Sequence, residues 1–408
     1  MMSQILNPKF LLTVFISIFS LIIAGITLLS VIFPALIVSN FGIHSNNLDS
    51  LEVGINGHLI LLFNIIIITF GICYYKKILP IKIHSSISKL LQKNISQKVT
   101  IIVIFSILAP YVVLTMPELF IDEQTQAPDY DIFLAAKKIF PFGKTTFTEA
   151  AEQNDRYIRM ILLIGSIEVF QNVKVIPFLG SIGLLIATYF LTKEITKNRL
   201  AGIISLLFLI QTFTFLKYDS FAMYENFWVL FYVLSLYLIF KKFYTSSISY
   251  LLSILTKAFT AIFLPLSIVF VFYSDLNKKT KFLIMTSYAV MIGIVLAIWS
   301  LDASVYSNIL RFEISELFTA LAKTSYQLRF DYLFLSSFLP LTLALIIKAK
   351  NNVYSAASIL FLISGSIFAG AIVEMLSYHF VILPYRFVPT LVFFAVGIGI
   401  LFNSKNSN

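Results

Sequence analysis

Long apolar runs alternate with short polar intervals along the whole chain. Most runs are about 17 to 25 residues long, which is the length that an α-helix needs to cross a hydrocarbon layer about 30 Å thick. They lack the alternating segments of about ten residues that are typical of membrane barrels. The pattern therefore predicts an all-α polytopic membrane protein.

The apolar runs predict about eleven or twelve transmembrane helices. The runs lie at about residues 10–38, 59–75, 99–116, 175–191, 200–216, 221–240, 248–273, 282–301, 332–347, 354–373 and 383–402. The first run is too long for the apolar core of a signal peptide, so we expect it to remain as a mature span.

Lysines concentrate in alternate polar intervals, and this bias predicts the orientation of the chain. Interval 76–98 is rich in lysine, whereas interval 39–58 has no Lys or Arg. Basic loops stay on the cytoplasmic side of a membrane. We therefore expect 117–173 and 302–331 to form extracytoplasmic loops. Both termini are predicted to be cytoplasmic in a multi-pass cell-membrane protein, with a prokaryotic plasma membrane favoured.

The run at 248–273 is an exception, because basic residues flank both of its ends. A single crossing would place one of these flanks outside. The polar break at Thr256-Lys257 instead predicts two short helices that form a hairpin. Lys257 is then expected near the outer side or in a polar cavity, since a lone lysine that faces lipid is costly.

Composition excludes several functional classes. The chain of 408 residues is 59% hydrophobic and 12% charged, whereas soluble domains have about 25% charged residues. Its net charge of +10 lies in short clusters instead of one basic domain, which argues against a nucleic-acid partner. The single cysteine, Cys73, can form no intramolecular disulfide.

The loop at 117–173 carries most of the acidic candidates. Asp129 and Asp131 precede a segment, 132–140, whose apolar residues share one helical face. A helix of this kind rests in the headgroup zone, so it would hold both aspartates at the depth of lipid phosphates. The alternative is an ordinary surface helix whose N-terminus the aspartates cap.

A second acidic pair, Asp122-Glu123, lies earlier in the same loop. Adjacent acids can bind a divalent metal, or one of them can act as a base. A solvated loop is the commoner explanation, and no His or Cys lies close enough in sequence to complete a metal signature. We therefore predict no metal and no cofactor, with Asp122 and Glu123 as the weak alternative.

Two further acids, Asp219 and Glu225, bracket the outer start of the sixth predicted span. An ionisable group inside an apolar helix is a functional-site hypothesis by default, and this applies to Glu225. The alternative is that Glu225 lies close enough to the interface to be hydrated.

Polar residues also surround the outer start of the last span, where Glu374, His379 and Arg386 occur. The planar fork of Arg386 suits a phosphate or pyrophosphate, because it donates two parallel hydrogen bonds and stays charged. The alternative is that Arg386 extends to lipid headgroups. A lone interfacial histidine such as His379 is more often a packing residue than a catalytic one.

Phosphate-binding glycine loops, hydrolase nucleophile elbows and zinc signatures are absent from the sequence. Several stretches instead resemble the GT-C membrane glycosyltransferases, which include protein O-mannosyltransferases and the aminoarabinose transferases of lipid A. PDYDIFLAAKKIFPFG is similar to that family's acidic loop, with Asp129 at the acid, Phe133 at the aromatic position and Gly143 at the end.

The resemblance continues in the same order along the chain. YDSFAMYENFWVLFYVLSLYLIFKK is similar to the span that begins with an acid, here Glu225. LTKAFTAIFLPL resembles the lysine-containing hairpin, and YHFVILPYRFVPTLVFF resembles the last span, with Arg386 before a Pro-containing helix. The similarity covers about 99–402, so it divides the chain into two extra N-terminal helices with a basic loop (1–98) and a GT-C-like core (99–408).

The resemblance implies an inverting sugar transfer from a polyprenyl-phosphate donor to a glycan, lipid or protein acceptor on the extracytoplasmic face. The general base would be Asp129 or, since the family's acidic pair is split here, Asp122. Arg386 and Lys257 would bind the departing lipid phosphate. Glu225 would shape the cavity, and Asp131 and His379 complete the expected substrate site.

Two rival hypotheses fit the same residues. In a flippase or transporter, Glu225, Lys257 and Arg386 would line a pathway, and polar residues would be spread through the depth of the membrane. The candidates instead cluster toward the outer side, which favours a one-sided catalytic cavity. The second rival is a non-catalytic scaffold with a GT-C-like fold, for which a split acidic motif would be a sign of lost activity.

Overall fold

The computed structural model describes residues 8–36, 52–54, 56–127, 130, 157–224, 226–241, 243–300, 317–376 and 383–402. Within these ranges every regular element is a helix, and no strand occurs. The predicted all-α fold is confirmed.

Seventeen α-helices make up the described chain. In chain order they are α1 (Pro8–Ile32), α2 (Gly57–Tyr75), α3 (Ile81–Gln92), α4 (Gln97–Thr115), α5 (Glu123–Gln126), α6 (Tyr157–Phe170), α7 (Val175–Thr196), α8 (Arg199–Ile210), α9 (Phe213–Tyr218), α10 (Phe227–Lys241), α11 (Phe243–Thr256), α12 (Leu264–Tyr273), α13 (Lys278–Ser300), α14 (Leu317–Tyr326), α15 (Tyr332–Lys350), α16 (Tyr354–Leu376) and α17 (Val388–Leu401). Short 3-10 turns occur at Met116–Phe120, Ala258–Phe263, Gln327–Phe330 and Pro384–Phe387.

Seven helical stretches of the described chain are long and apolar enough to cross a membrane. They are Pro8–Ile32, Gly57–Tyr75, Gln97–Phe120, Val175–Thr196, Tyr332–Lys350, Tyr354–Met375 and Pro384–Leu401. Shorter apolar helices occupy Arg199–Ile210, Phe227–Lys241 and Ala258–Tyr273. The architecture is that of a multi-pass membrane protein, while the total of eleven or twelve crossings and the sidedness of the termini stay predictions.

The centre of the bundle is formed by α16 and α17. The last span is 83% buried, and α17 packs against α7, α8, α15 and α16. The approach to α8 is close, since a Cβ on Gly399 would lie 3.0 Å from the carbonyl oxygen of Ala201. By contrast, α2 and α4 are only 17% buried, so their apolar side chains face outward, where a lipid bilayer would solvate them.

The N-terminal helix is integrated into this bundle. The α1 helix packs against α14, α15 and α16, and Ser20 and Ser364 share a buried hydrogen bond of 2.8 Å. The division of the chain at residue 98 stays a prediction.

The helices place the lysine-rich turns together at one end of the bundle, called the basic end here. Asn198 joins three chain segments at this end, because its amide Nδ2 donates to the carbonyl oxygens of Lys93 at 3.1 Å and Phe402 at 2.8 Å. Lys348 also donates to the carbonyl of Ile400 at 3.2 Å. The opposite end, called the far end, holds the candidate site.

Three predicted spans are interrupted or shortened at the far end. The predicted break at Lys257 is confirmed, because α11 ends at Thr256 and a 3-10 turn follows. The fifth predicted span breaks into α8 and α9, and the sixth begins at Phe227 instead of 221. In the latter case the residues before Phe227 form a turn, in which the backbone N–H groups of Ala222 and Met223 donate to the carboxylate of Glu123.

Candidate functional site

Lys257 and Arg386 converge on the same phenol oxygen. The Nζ of Lys257 donates to Oη of Tyr385 at 3.0 Å, and Nε of Arg386 donates to it at 3.2 Å. Tyr385 is buried, whereas both cations are half-buried. Lys257 and Tyr385 are 128 positions apart in the chain, so the fold brings two distant segments together at this point.

Aromatic rings enclose this cluster of Lys257, Tyr385 and Arg386, called the cationic site from here on. The Tyr224 ring stacks on the Tyr385 ring, with centroids 4.6 Å apart. The Tyr218 ring contacts the Tyr385 ring edge-on, with centroids 5.9 Å apart. Lys257 Nζ lies 4.1 Å from the centroid of Tyr385 and 5.8 Å from that of Trp228. Cation–π contacts of this kind favour a charged lysine at a poorly solvated position.

Local structure explains why these side chains are placed there. Lys257 has an extended backbone between α11 and the following 3-10 turn, so its side chain lies at the far end of α11. Pro384 begins the 3-10 turn that carries Tyr385 and Arg386, and a proline is well suited to a first helical position. Both cations therefore come from helix breaks and not from regular spans.

The rings of Tyr218, Tyr224 and Trp228 form an aromatic wall around the cationic site. A buried carboxylate holds the turn at 219–224, which carries Tyr224. Oε1 of Glu123 accepts hydrogen bonds from the backbone N–H groups of Ala222 and Met223, both at 3.0 Å. Glu123 is 2% exposed. Burial raises the pKa of its carboxyl, while the two N–H donors and Lys174 oppose that rise.

Lys174 supplies the countercharge for Glu123. Its Nζ lies 3.4 Å from Oε2 of Glu123, and both side chains are 1% exposed. The same ammonium donates to the carbonyl of Glu118 at 3.2 Å and to Oε1 of Gln126. Lys174 precedes α7, so this ion pair joins α5, the start of α7 and the turn at 219–224.

A second buried acid, Asp219, lies at the start of the same turn. Oδ2 of Asp219 accepts the hydroxyl proton of Tyr111 at 2.7 Å, whereas its Oδ1 has no hydrogen-bond partner among the described residues. Burial is the largest cause that raises the pKa of Asp219, from an ordinary 3.8 to about 7. The carboxyl is thus poised between its charged and neutral forms near neutral pH.

Asp219 directly follows the C-terminal end of α9, and Asp331 caps its N-terminal end. The carboxylate of Asp331 accepts the backbone N–H of Thr214 at 3.0 Å and the hydroxyl of the same residue. Burial raises the pKa of Asp331 to about 6, although these hydrogen bonds oppose the rise. A carboxylate at a helix N-terminus satisfies N–H groups that the helix leaves unpaired. Asp219 and Asp331 therefore fix the two ends of α9.

The predicted base Asp122 is described, and it lies at the surface. Its Oδ1 accepts the backbone N–H of Gln124 at 3.1 Å, so it caps α5. The neighbouring Glu123 is turned inward to Lys174. Asp129, Asp131, Glu225 and His379 lie outside the described residues, and the roles predicted for them stay predictions. Glu374 is described and lies 3.8 Å from Lys323.

The carboxylates of Asp122 and Glu123 have different partners, because Asp122 caps α5 and Glu123 pairs with Lys174; metal binding by this pair stays a prediction. Among the described residues no group of three or more His, Cys, Asp and Glu side chains is placed to hold a metal ion.

Sequence reasoning missed Tyr385, Lys174 and the anchoring role of Glu123. Tyr385 is one of 20 tyrosines in the chain, and its position directly before Arg386 was the available signal. Lys174 follows the acidic loop and precedes an apolar run, a position where an ordinary flanking charge is expected.

The chemical capacity of the cationic site is recognition of an anion. A lysine, an arginine and a phenol hydroxyl offer point charge, planar donors and a proton within one half-buried cluster. In a poorly solvated setting such groups bind phosphate more strongly than in water. No protein-family model, curated protein or solved structure matches the chain.

Removal of one partner of the buried ion pair should destabilise the protein. We expect Lys174→Met to cost about 3–5 kcal/mol of unfolding free energy, because it leaves Glu123 as an uncompensated buried charge. Glu123→Gln should also destabilise, and the double variant should lose less than the sum of the two single changes. Unfolding midpoints in detergent micelles measure all three.

The matched control for this double-mutant cycle is the surface pair Lys241–Glu194, with Nζ 2.8 Å from the carboxylate. Because Lys241 is 47% exposed, Lys241→Met should cost less than about 1 kcal/mol. Equal losses at the two sites would show that the Glu123–Lys174 pair has no special structural weight.

Asp219 should make stability depend on pH with a defined sign. Its folded pKa is above the ordinary value, so the folded state binds its proton more tightly than the unfolded chain does. Stability from this group is therefore full below pH 4 and is lost as pH rises to about 7. The loss is on the order of a few kcal/mol, since one pKa unit corresponds to about 1.4 kcal/mol.

The Asp219→Asn variant should flatten this part of the stability profile, measured as unfolding midpoints between pH 4 and 8. Asp275→Asn is the control, because Asp275 is exposed at the basic end. A profile of Asp219→Asn that has the same slope as the wild type would contradict the assignment.

Proposed function

We propose that the chain is a membrane glycosyltransferase that moves a sugar from a polyprenyl-phosphate donor to an acceptor hydroxyl at the extracytoplasmic face. The observation that carries the proposal is the convergence of Lys257 and Arg386 on Tyr385 at 3.0 and 3.2 Å. A lipid-linked donor has a phosphate at the depth of the headgroups, and this cluster supplies the groups that bind it.

The cationic site acts on the leaving group. As the acceptor oxygen forms a bond to the anomeric carbon, the bond from that carbon to the phosphate oxygen breaks, and its electron pair leaves with the polyprenyl phosphate. Lys257 and Arg386 stabilise the charge that develops on this oxygen, and Tyr385 holds the two cations at a fixed separation. Attack from the opposite face inverts the anomeric centre.

The proton of the acceptor hydroxyl goes to a carboxylate of the acidic loop. Asp129 is the preferred base and Asp122 is the alternative, with Asp131, Glu225 and His379 as supporting residues of the substrate site. Asp122 is exposed to solvent, which suits a residue that contacts an acceptor. To act as the base, it would have to give up its hydrogen bond from the N–H of Gln124. Glu123 is committed to the ion pair with Lys174 and is not the base in this scheme.

The distribution of charge favours a transferase over a flippase. The cationic site, the Glu123–Lys174 pair and Asp219 all lie at the far end of the bundle. A transport pathway needs polar groups at successive depths, whereas a reaction at one membrane face needs them at one level.

Loss of the base should abolish most of the activity. With purified protein and a panel of polyprenyl-phosphate sugars, we expect Asp129→Asn to lower the rate of sugar transfer by about 100- to 10,000-fold, which is the usual contribution of a general base. Asp122→Asn tests the alternative, and Asp275→Asn is the exposed control. Full activity in both loop variants would overturn the carboxylate proposal.

Lys257 and Arg386 should affect binding of the donor and departure of its polyprenyl phosphate. We expect Lys257→Met and Arg386→Gln each to lower the transfer rate by about 100- to 1,000-fold, as for other groups that stabilise developing charge. Lys279→Met is the control, because Lys279 is exposed at the basic end. Unchanged rates in both site variants, at donor concentrations below KM, would exclude the cationic site from catalysis.

A further inference from the structure

A cavity separate from the cationic site lies at the far end, between the N-terminal helices and the segment that precedes α15. It has a volume of about 570 Å³, within the range of about 300–1,000 Å³ that is common for ligand pockets. Apolar side chains of α1 and α2 form one wall, including Val31 and Ile60, and Tyr326, Phe330 and Tyr332 form the other. None of the residues assigned to the cationic site lines it.

The wall on the side of α1 is held in place by backbone contacts. The N–H of Gly54 donates to the carbonyl of Ile32 at 2.8 Å, and the N–H of Gly57 donates to the carbonyl of Gly54 at 2.8 Å. A Cβ on Gly54 would lie 3.0 Å from the carbonyl oxygen of Val31. The segment around Gly54 is therefore packed directly on the end of α1, and the cavity is a built feature of the fold.

The polar groups of the cavity are of opposite charge. Arg329 and Glu52 are its charged lining residues, so together they leave it without net charge. Arg329 is fixed between the rings of Tyr326 and Phe330, at 4.5 and 4.4 Å from their centroids. Its Nη1 donates to the carbonyl of Tyr326 at 3.1 Å and to Oε1 of Gln327 at 3.4 Å, so the guanidinium is held in place at the cavity wall.

The remaining polar groups can both donate and accept hydrogen bonds. The amide Nδ2 of Asn56 donates to Oη of Tyr332 at 2.6 Å, so the phenol proton is available to a ligand. Phe330 and Tyr332 are 40% and 45% exposed, and they offer apolar ring surface beside these groups. A ligand that matches has hydroxyls that donate and accept, apolar C–H faces and no net charge.

From this combination we infer that the cavity binds an uncharged carbohydrate. An anionic headgroup would meet the carboxylate of Glu52, whereas sugar hydroxyls pair with both Glu52 and Arg329. The cationic site has the opposite character, because two cations converge on Tyr385. The far end thus has one site for an anion and one for a neutral ligand.

The two sites lie side by side across α9. Phe213, at the start of α9, meets Phe330 of the cavity wall at 5.6 Å. Tyr218, at its end, meets Tyr385 at 5.9 Å. Five helical steps separate the two contacts, a rise of about 7.5 Å. The carbohydrate in the cavity is therefore the acceptor, an assignment that rests on the proposed function, whereas the binding site itself does not.

The binding test uses a photoreactive octyl β-glucoside with the full-length protein in phosphatidylcholine nanodiscs. Mass spectrometry should locate the label within 52–60 and 326–332, and excess octyl β-glucoside should remove it. Glu52→Gln and Arg329→Met should each weaken labelling by about 10-fold, the effect of one lost hydrogen bond to a charged group. Glu168→Gln is the matched control, because Glu168 is exposed on α6.

Tyr332→Phe provides a variant that removes one hydroxyl and keeps the ring, so it separates a lost contact from a folding defect. Its labelling should fall, while its unfolding midpoint should stay close to the wild-type value, because the hydrogen bond that it loses to Asn56 is exposed. Equal labelling of the wild type and all three cavity variants would overturn the proposal. Labelling abolished by phosphatidylglycerol but not by octyl β-glucoside would also overturn it, in favour of an anionic lipid.

A kinetic measurement separates this inference from the proposed function. With an active donor, Glu52→Gln should raise KM for a glycoside acceptor by about 10-fold and leave KM for the donor unchanged. If the glucoside labels the cavity and no donor supports transfer, the binding site stands and the proposed function falls. If transfer occurs and Glu52→Gln leaves acceptor KM unchanged, the acceptor assignment falls.

Discussion

The far end of the protein depends on a buried pair of charges, Glu123 and Lys174. Removal of both from water costs several kcal/mol per ion, and their attraction alone does not reliably offset that cost. Here two backbone N–H groups and two further acceptors complete the pair. The cost is met only when α5, the start of α7 and the turn at 219–224 are in place together, so the pair specifies one arrangement of the aromatic wall.

This constraint explains how a bundle made of apolar helices can hold a defined polar site. Lipid-facing helices such as α2 and α4 gain little specificity from their apolar surfaces, because lipid and neighbouring helices are equally apolar. Helix breaks provide the specificity instead. Lys257, Tyr385 and the ends of α9 all lie where regular helix stops, and each break supplies polar groups that must find partners.

Sequence reasoning predicted the helices well and the contacts between them poorly, for physical reasons. A span needs only sufficient apolar length, which is a local property, so α2, α4 and α7 were expected close to their observed bounds. The break at Lys257 was also local, because a lysine does not face lipid. The bonds from Glu123 to Ala222 and Met223 join residues 99 and 100 positions apart, and no local pattern signals them.

The long separation within this network has a consequence for biosynthesis. Glu123 enters the membrane region long before the chain that carries Ala222 and Met223 has been made. Until the ribosome has added α7, α8 and α9, its carboxylate has to remain hydrated, since a half-formed network would leave a charge in a dry environment. The far end is therefore assembled late. A nascent chain that stops before that point exposes an acidic loop, and this exposure distinguishes an incomplete product from a finished one.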